Sequence, residues 1–288
     1  MLRNLERAGD PWGRGAKARL EWTAGLPFEV PVLSGETIPD GVDYLLWVGC
    51  AGALDDRARK TTRAVAELLH TAGLSFMVLG DQERCTGDPA RRMGQELLFQ
   101  ELGKQNVETL NAVGAKRIVV TCAHCFNAIS NEYPQLGGNY EVVHHTQLLS
   151  RLVAEGRLVP SHPVEETVTY HDPCYLGRHN RIFSPPRELL GSVPGLTFNE
   201  MPRNSQTSFC CGAGGARMWM EESIGTRINE ARTDEALATG AEVVTAACPY
   251  CIVMLTDGVA TRQQQGKADE SVRVADVSTM LLRSVKGE

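Results

Sequence analysis

Short, mostly apolar segments alternate with longer amphipathic segments along the chain. The first apolar segment covers residues 42–48 and ends just before Cys50, which is typical of a buried strand. Apolar residues then recur at helical spacing from the Asp55-Asp56 pair to about Thr71. An aspartate at the start of such a pattern is a favourable N-cap, so this part of the chain predicts a strand followed by a helix.

The same alternation continues to the C-terminus. A long amphipathic helix is predicted over residues 90–113, and a shorter helix is predicted from Cys122 to about Asn131. Further strands are predicted over residues 74–79, 116–121, 141–144, 167–171, 196–200, 242–246 and 272–275. Regular alternation of strands and helices implies an α/β fold in which a mostly parallel sheet is covered by helices.

The cysteines fall into two sets with matching spacing. Cys174 follows Cys50 by 124 residues, and Cys251 follows Cys125 by 126 residues. The first set is Cys50, Cys85, Cys122 and Cys125, and the second set is Cys174, Cys210, Cys211, Cys248 and Cys251. Flanking glycine, arginine, methionine and glutamate residues also correspond, which indicates an internal duplication rather than a solenoid array.

The duplication divides the chain into three parts. We predict an N-terminal arm over residues 1–40, a first cysteine-rich unit over residues 41–160 and a second over residues 161–288. Each unit is expected to be a Rossmann-like α/β unit with a parallel sheet, and the cysteines are expected at the carboxyl ends of its strands.

Composition and charge exclude several classes of function. The chain carries 29 Lys and Arg against 35 Asp and Glu, a net charge of −6, so neither nucleic acid nor an anionic membrane is an expected partner. No apolar run approaches the ~18 residues that cross a bilayer, and residues 1–21 lack the apolar stretch of a signal peptide. We therefore expect a cytoplasmic protein, which a partner subunit could bring to a membrane. In that compartment, regularly spaced cysteines bind metal or perform redox chemistry more often than they form disulfides.

The positions of the cysteines predict two metal sites. Cys50, Cys122 and Cys248 lie within two residues of a predicted strand end, and Cys174 lies three residues beyond one. Ligands of open α/β sheets bind at the carboxyl ends of the strands, so each set of thiols is expected to converge there. The four thiolates of the first set suit either a [4Fe–4S] cluster or structural zinc. The five of the second set exceed the four that a zinc ion or an ordinary cubane cluster takes.

Two residues next to the cysteines bear on the chemistry. Thr86 occupies the position in the first set that Cys211 occupies in the second, so the first site lacks one thiol. His171 ends the strand before Cys174 and is a candidate to donate a hydrogen bond to sulfur or to deliver protons.

These motifs resemble a known family. The pattern Cys-x(n)-Cys-Cys-Gly-x(n)-Cys-x-x-Cys is complete in the second half and lacks one cysteine in the first, and it resembles the cysteine-rich "CCG" domain. That domain occurs in heterodisulfide reductase and in the iron–sulfur components of glycolate and lactate oxidation systems. The stretches Trp47-Val-Gly-Cys50, Cys85-Thr-Gly-Asp-Pro and Gly137-Gly-Asn139 are most similar to the C-terminal part of iron–sulfur oxidoreductases that connect electron-transfer flavoprotein to menaquinone. The resemblance covers about residues 40–285.

The resemblance implies an iron–sulfur oxidoreductase subunit that passes electrons through two cysteine-ligated clusters in a quinone-linked respiratory chain. All nine cysteines would be ligands, with a [4Fe–4S] cluster of non-cubane type at the second site and a [4Fe–4S] cluster or zinc at the first. An alternative is disulfide reduction at the second site, as in heterodisulfide reductase, with Cys210, Cys211 and His171 as catalytic residues. A zinc-stabilised scaffold without catalytic activity is the alternative from a different class.

The resemblance also implies partners. The chain has neither a ferredoxin-type cysteine run nor an apolar membrane segment. Electrons would therefore come from another protein or from another part of a longer chain, and a separate subunit is the preferred interpretation. The expected partners are a ferredoxin-type iron–sulfur subunit, a membrane subunit that reacts with quinone, electron-transfer flavoprotein or a flavin dehydrogenase. Residues 3–33 are interpreted either as an extended arm for such a partner or as a disordered tail.

Overall fold

Two four-stranded sheets, all of whose strands are parallel, form the core of the protein. The computed structural model describes residues 1–34 and 37–287, so residues 35, 36 and 288 of the predicted arm and second unit lie outside the described residues. The strands of the first sheet are β1 (Tyr44–Trp47), β2 (Phe76–Met77), β3 (Arg117–Val120) and β4 (Glu141–His144). The strands of the second sheet are β5 (Thr167–His171), β6 (Thr197–Phe198), β7 (Val243–Ala246) and β8 (Arg273–Asp276). Every strand overlaps a predicted one, and the α/β fold with two similar units is confirmed.

Eleven α-helices in the described part of the chain connect and cover these strands. They are α1 (Leu2–Ala8), α2 (Gly49–Leu54), α3 (Asp56–Thr71), α4 (Asp88–Arg92), α5 (Glu96–Ala112), α6 (Ala123–Asn127), α7 (His145–Ala154), α8 (Ser184–Ser192), α9 (Ile228–Leu237), α10 (Pro249–Gln264) and α11 (Val277–Lys286). Asp55 caps α3 by accepting hydrogen bonds from the backbone N–H groups of Arg57 and Ala58, so α3 begins where the sequence predicts.

The strand order places the cysteine loops next to one another. The order is β2-β1-β3-β4 in the first sheet and β6-β5-β7-β8 in the second. In each sheet the chain connections run in opposite directions on the two sides of the central strand pair. At such a switch point, a parallel sheet has a crevice at the carboxyl ends of its strands. Cys50 follows β1 and Cys122 follows β3, while Cys174 follows β5 and Cys248 follows β7. The topology therefore brings each pair of loops to the mouth of one crevice.

Two predicted helices differ from the structure. The helix predicted over residues 90–113 is two helices, α4 and α5, because the chain turns at Gly94, whose φ is 80°. An L-amino acid with a side chain rarely adopts this left-handed conformation, so the glycine permits the break. The helix predicted from Cys122 continues beyond α6 as a π-helical turn, Ala128–Glu132, and a 3₁₀ turn, Tyr133–Leu136.

The two units pack through reciprocal helix contacts. Helix α3 of the first unit contacts α11 of the second, and α8, the counterpart of α3, contacts α7, the counterpart of α11. Reciprocal contacts between equivalent elements characterise a two-fold relationship. Buried apolar side chains of both units belong to one continuous cluster, so the duplicated halves share a core.

The N-terminal segment, residues 1–33, packs on the first unit. Besides α1 it contains a 3₁₀ helix, Ala16–Thr23, and its Leu5 and Trp22 side chains are buried. Neither an extended arm nor a disordered tail describes it, because folding back removes these large apolar side chains from water. The boundaries at residues 40 and 160 stay predictions.

The helices fall short of what a bilayer requires. Within residues 1–34 and 37–287, every helix is too short or too polar to cross a membrane.

Close packing between α9 and α10 gives a stability prediction. A Cβ atom on Gly258 of α10 would lie 2.1 Å from Thr233 Oγ1 and 3.2 Å from the Asn229 carbonyl oxygen. We expect Gly258→Ala to lower the free energy of unfolding by about 1–2 kcal/mol, since overpacking outweighs the gain in helix propensity. The matched control is Gly191→Ala in α8, where a Cβ atom would meet no heavy atom within 4 Å. It should raise stability by about 0.5 kcal/mol. Thermal or denaturant unfolding measures both, and equal effects would contradict the packing argument.

Candidate functional site

All nine cysteines are free thiols at the carboxyl ends of the strands. Cys122 and Cys248 are the N-cap residues of α6 and α10, and Cys50 lies in the first turn of α2. Backbone N–H groups at a helix N-terminus favour the thiolate over the thiol. The helix predicted from Cys122 does begin at that residue.

The first site is a buried pocket that the four thiols of the first set surround. Cys50, Cys85, Cys122 and Cys125 line one cavity, together with Thr86, His124 and Tyr250. Cys50 lies next to Cys85, and Cys122 lies next to Cys125. Thr86, the residue in place of a fifth cysteine, thus faces the same space as the four thiols.

The second site is a chain of contacting thiols. Cys210 lies between Cys174 and Cys211, and Cys251 lies between Cys211 and Cys248. The Gly212 N–H donates a hydrogen bond to Cys210 Sγ over 3.2 Å, within the turn that directs both adjacent cysteines to the site. Cys174 and Cys210 are half-buried, whereas the other seven cysteines of the protein are buried. The second site is therefore the one that solvent and partners reach.

The two sites adjoin at equivalent residues. The Cys122 and Cys248 thiols are neighbours, although they belong to different units. Both are the first cysteine of a Cys-x-x-Cys pair and both follow the second central strand of their sheet. The thiols of both sites thus form one continuous array across the boundary between the units.

Each site holds thiols that ionise easily. Hydrogen bonds from Cys174 and then Cys211 lower the pKa of the Cys210 thiol to about 2. Burial would raise the pKa of Cys50, but the hydrogen bond from Cys85 and the charge of Arg19 lower it. Burial also opposes ionisation of Cys248, yet hydrogen bonds from Cys122 and Cys251 lower its pKa well below the usual value. Hydrogen bonds to the neighbouring thiols, together with burial, raise the pKa of Cys85, Cys174, Cys211 and Cys251, so each set combines thiols that ionise easily with thiols that do not. A metal would bind them as thiolates.

Arg19 and Glu83 form a buried ion pair at the first site. Arg19 Nη2 donates a hydrogen bond to Cys50 Sγ over 3.1 Å, and its Nη1 donates to Glu83 Oε1 over 2.8 Å. Burial would lower the pKa of Arg19, but the negative charges of Cys50 and Glu83 raise it, so the guanidinium stays charged. Neither residue was predicted, since an ion pair formed across 64 residues of chain has no local sequence signal.

His171 lies beside the second site. Its Nδ1 accepts a hydrogen bond from Arg232 Nε over 3.0 Å, and a ring nitrogen lies within 4.8 Å of the Cys211 and Cys251 sulfur atoms. Burial, then the charge of Arg232, lowers the pKa of His171 to about 3, so the imidazole is neutral. A neutral imidazole that accepts at Nδ1 carries its proton on Nε2. This Nε2 is buried and has no hydrogen-bond partner among the described residues, so it is available to the sulfur atoms.

His124 lies between the two sites. Its Nδ1 is 2.8 Å from Asp88 Oδ2, and its ring packs against Tyr175 and Tyr250. Burial would lower the pKa of His124, but the Asp88 carboxylate raises it to about 9. The structure thus places a buried imidazolium next to the thiols, paired with a carboxylate.

Other polar residues near the cysteines are bound to protein groups. Arg92 pairs with Asp88 and Glu132, and Arg217 pairs with Glu222. Neither arginine is therefore the cation found at a thiol.

The remaining polar candidates have structural partners as well. Asp172, next to His171, holds both terminal nitrogens of Arg187. His144 caps α7, as a structural histidine would. Among these histidines and acids, His171 and His124 are the ones that lie against the thiols.

The fold and its two sets of cysteines match a family of known proteins. A family model described as the cysteine-rich domain, CCG, matches residues 44–130 and 168–256. The chain is 44% identical to the probable iron–sulfur-binding oxidoreductase FadF of Bacillus subtilis, over 99% of this chain and 40% of that protein. It is 43% identical to the EtfAB:quinone oxidoreductase of Syntrophomonas wolfei, over 98% of this chain and 40% of that protein. It is 35% identical to one of the subunits of the dihydromethanophenazine:CoB–CoM heterodisulfide reductase of Methanosarcina barkeri, over 86% of this chain and 60% of that protein.

The extent of these matches defines what they establish. The chain spans about two fifths of the length of the first two relatives. Each matched segment contains three strands of one sheet and one complete set of cysteines. The chain belongs to the cysteine-rich domain (CCG) family, as its motifs indicate, and carries that domain twice.

Proposed function

We propose that this chain is the electron-transferring part of an iron–sulfur oxidoreductase, with one cysteine-ligated cluster in each unit. The observation that carries the proposal is that Cys122 and Cys248 are neighbours, because the two thiol sites then lie side by side. When bound, iron–sulfur clusters accept and release single electrons. The chain's own contribution is to hold two such groups next to each other in a mostly buried setting.

Several features support iron–sulfur clusters rather than zinc. Zinc takes four ligands in a tetrahedral site, so it would leave one of the five second-site thiols unused. The first-site thiols surround a cavity. The names of two relatives also include the words iron–sulfur-binding and heterodisulfide reductase.

The two sites are proposed to hold different cluster types. Cys50, Cys85, Cys122 and Cys125 would supply the four thiolates of an ordinary [4Fe–4S] cluster. The five cysteines of the second set would hold a [4Fe–4S] cluster of non-cubane type, since one thiolate exceeds what a cubane needs; these are Cys174, Cys210, Cys211, Cys248 and Cys251. His171 would donate its Nε2 proton to sulfur in the second site.

Electrons are proposed to enter or leave at the half-buried Cys174 and Cys210. The segment 173–187 that carries Cys174 contains the exposed Arg178 and Arg181 and has no acidic residue. A basic surface beside the exposed thiols suits an acidic redox partner through charge complementarity. A ferredoxin-type subunit, electron-transfer flavoprotein, a flavin dehydrogenase or a quinone-reactive membrane subunit would fill this role, as the name of the quinone oxidoreductase relative suggests.

Disulfide reduction at the second site is a second candidate function. The half-exposure of Cys174 and Cys210 favours it, because a disulfide substrate has to reach the site. Two electrons and two protons would convert the disulfide into two thiols, and the electrons would come from the redox partner. The reduced protein should then release thiols from an asymmetric disulfide, which a thiol-specific reagent measures. Loaded protein that releases none would leave electron transfer as the function.

Metal and sulfide content tests the main proposal. Anaerobically purified protein should contain about eight iron and eight acid-labile sulfide per chain, with EPR signals of two clusters after reduction. A content of about four iron and one zinc per chain would indicate that the first site holds a structural zinc ion and not the proposed cluster. Zinc alone, without sulfide, would refute electron transfer and indicate a scaffold.

Substitution of Cys211 tests the assignment of cysteines to sites. Cys211→Ser should change the EPR spectrum of the second cluster and leave that of the first intact, because Cys211 contacts only second-site thiols. Cys85→Ser is the matched control, since Cys85 contacts Cys50, and it should affect the first cluster alone. Equal changes at both sites in either variant would contradict two separate sites.

The converse variant adds a thiol to the first site. Thr86 is 2% exposed and lines the first cavity, so Thr86→Cys places a fifth thiol there. We expect the first-site spectrum to move towards that of the second site, while Thr86→Ser leaves it unchanged. Identical spectra for both variants would show that the fifth cysteine does not determine cluster type.

A further inference from the structure

The N-terminal segment, residues 1–33, covers the first site. The Cys85 backbone N–H donates a hydrogen bond to the Gly9 carbonyl oxygen over 2.8 Å. The Leu5 side chain, which is fully buried, belongs to an apolar cluster with Cys50 and Cys85. Residues outside the duplicated units therefore contact the backbone and side chains of two of the four first-site cysteines.

Arg19 is the charged residue of this segment that contacts a first-site cysteine. Its side chain is 3% exposed and divides its donors between two acceptors, Cys50 Sγ at 3.1 Å and Glu83 Oε1 at 2.8 Å. A planar guanidinium can make both hydrogen bonds at once, which the single ammonium of lysine does less well.

Glu83 fixes the guanidinium relative to the cysteine loop. Its two carboxylate oxygens accept hydrogen bonds from the backbone N–H groups of Val48, over 3.0 Å, and Gly49, over 2.8 Å. These two residues directly precede Cys50. Arg19 and the loop that carries Cys50 are thus held by the same carboxylate, so the hydrogen bond to sulfur has a defined geometry.

The second site differs at the equivalent position. Cys174 is the counterpart of Cys50 and neighbours Cys210 as Cys50 neighbours Cys85, yet it is half-buried where Cys50 is buried. Only the short segment 155–166 precedes the second unit, where the first unit has residues 1–43. A guanidinium contacts Cys50 in the first site, and this contact distinguishes two otherwise similar sites.

We propose that Arg19 is a positioning residue that acts through Cys50 to raise the reduction potential of the first-site cluster. This inference rests on the proposed function. Reduction adds negative charge that is shared with the ligating sulfur atoms. A hydrogen bond donated to one of them stabilises the reduced state more than the oxidised state, so its loss should lower the potential.

The test is a redox titration of cluster-loaded protein followed by EPR. The informative variant is the double substitution Arg19→Met with Glu83→Gln, which removes the hydrogen bond to Cys50, keeps the net charge of the pair and leaves no buried charge unpaired. We expect the ratio of oxidised to reduced first-site cluster at a fixed ambient potential to rise about tenfold, which is about 59 mV for a one-electron couple. Arg19→Met alone should shift the ratio further in the same direction, because the Glu83 charge remains. Arg19→Lys should shift the first-site potential less than Arg19→Met does, because lysine keeps a positive charge at this position.

Controls separate this inference from a structural effect and from the proposed function. Arg262→Met removes another buried arginine, one paired with Glu230 and Asp234, and both cluster potentials should stay unchanged. The second-site potential should also stay unchanged in every Arg19 variant. An unshifted first-site potential in the folded, loaded double variant would overturn the inference, as would an equal shift at both sites or a shift in the single variant alone. Wild-type protein without iron at the first site would refute the proposed first-site cluster before any variant is measured.

Discussion

The proximity of the Cys122 and Cys248 thiols is a consequence of how the two units pack against each other. Equivalent residues can touch only if the two units meet around a common axis, and the reciprocal packing of α3 on α11 and of α8 on α7 provides that arrangement. The shared apolar core then fixes the distance between the sheets. Because both thiols cap helices at the carboxyl ends of central strands, the same packing that stabilises the fold also brings the two thiol sites together.

Residues outside the duplication make the two sites unequal. The first site is closed by the N-terminal segment and carries a guanidinium at Cys50, whereas the second site leaves Cys174 and Cys210 half-buried. Trp12 of the N-terminal segment also packs against the second unit. Its ring centroid lies 5.1 Å from that of Trp219 and 6.3 Å from that of Tyr250. The N-terminal segment thus contacts both units. A symmetric pair of sites would have no preferred direction for electrons, and these differences give each site its own surroundings.

Much of this arrangement could be predicted from the sequence, because the repeat carries the information twice. All eight strands and the grouping of the cysteines follow from apolar patterning and from spacing. The break between α4 and α5 was missed because the helical pattern continues across Gly94, and pattern alone does not show its left-handed backbone. Arg19, Glu83 and Arg232 were missed for another reason. Their roles depend on partners far along the chain, and a charged residue is normally expected at the surface.

The packing of the N-terminal segment also determines which thiols solvent reaches. Leu5 and Arg19 cover Cys50 and Cys85, while Cys174 and Cys210 are accessible from the surface. A molecule in solution therefore meets thiols of the second site in the folded protein, whereas those of the first site stay covered as long as residues 1–33 remain packed.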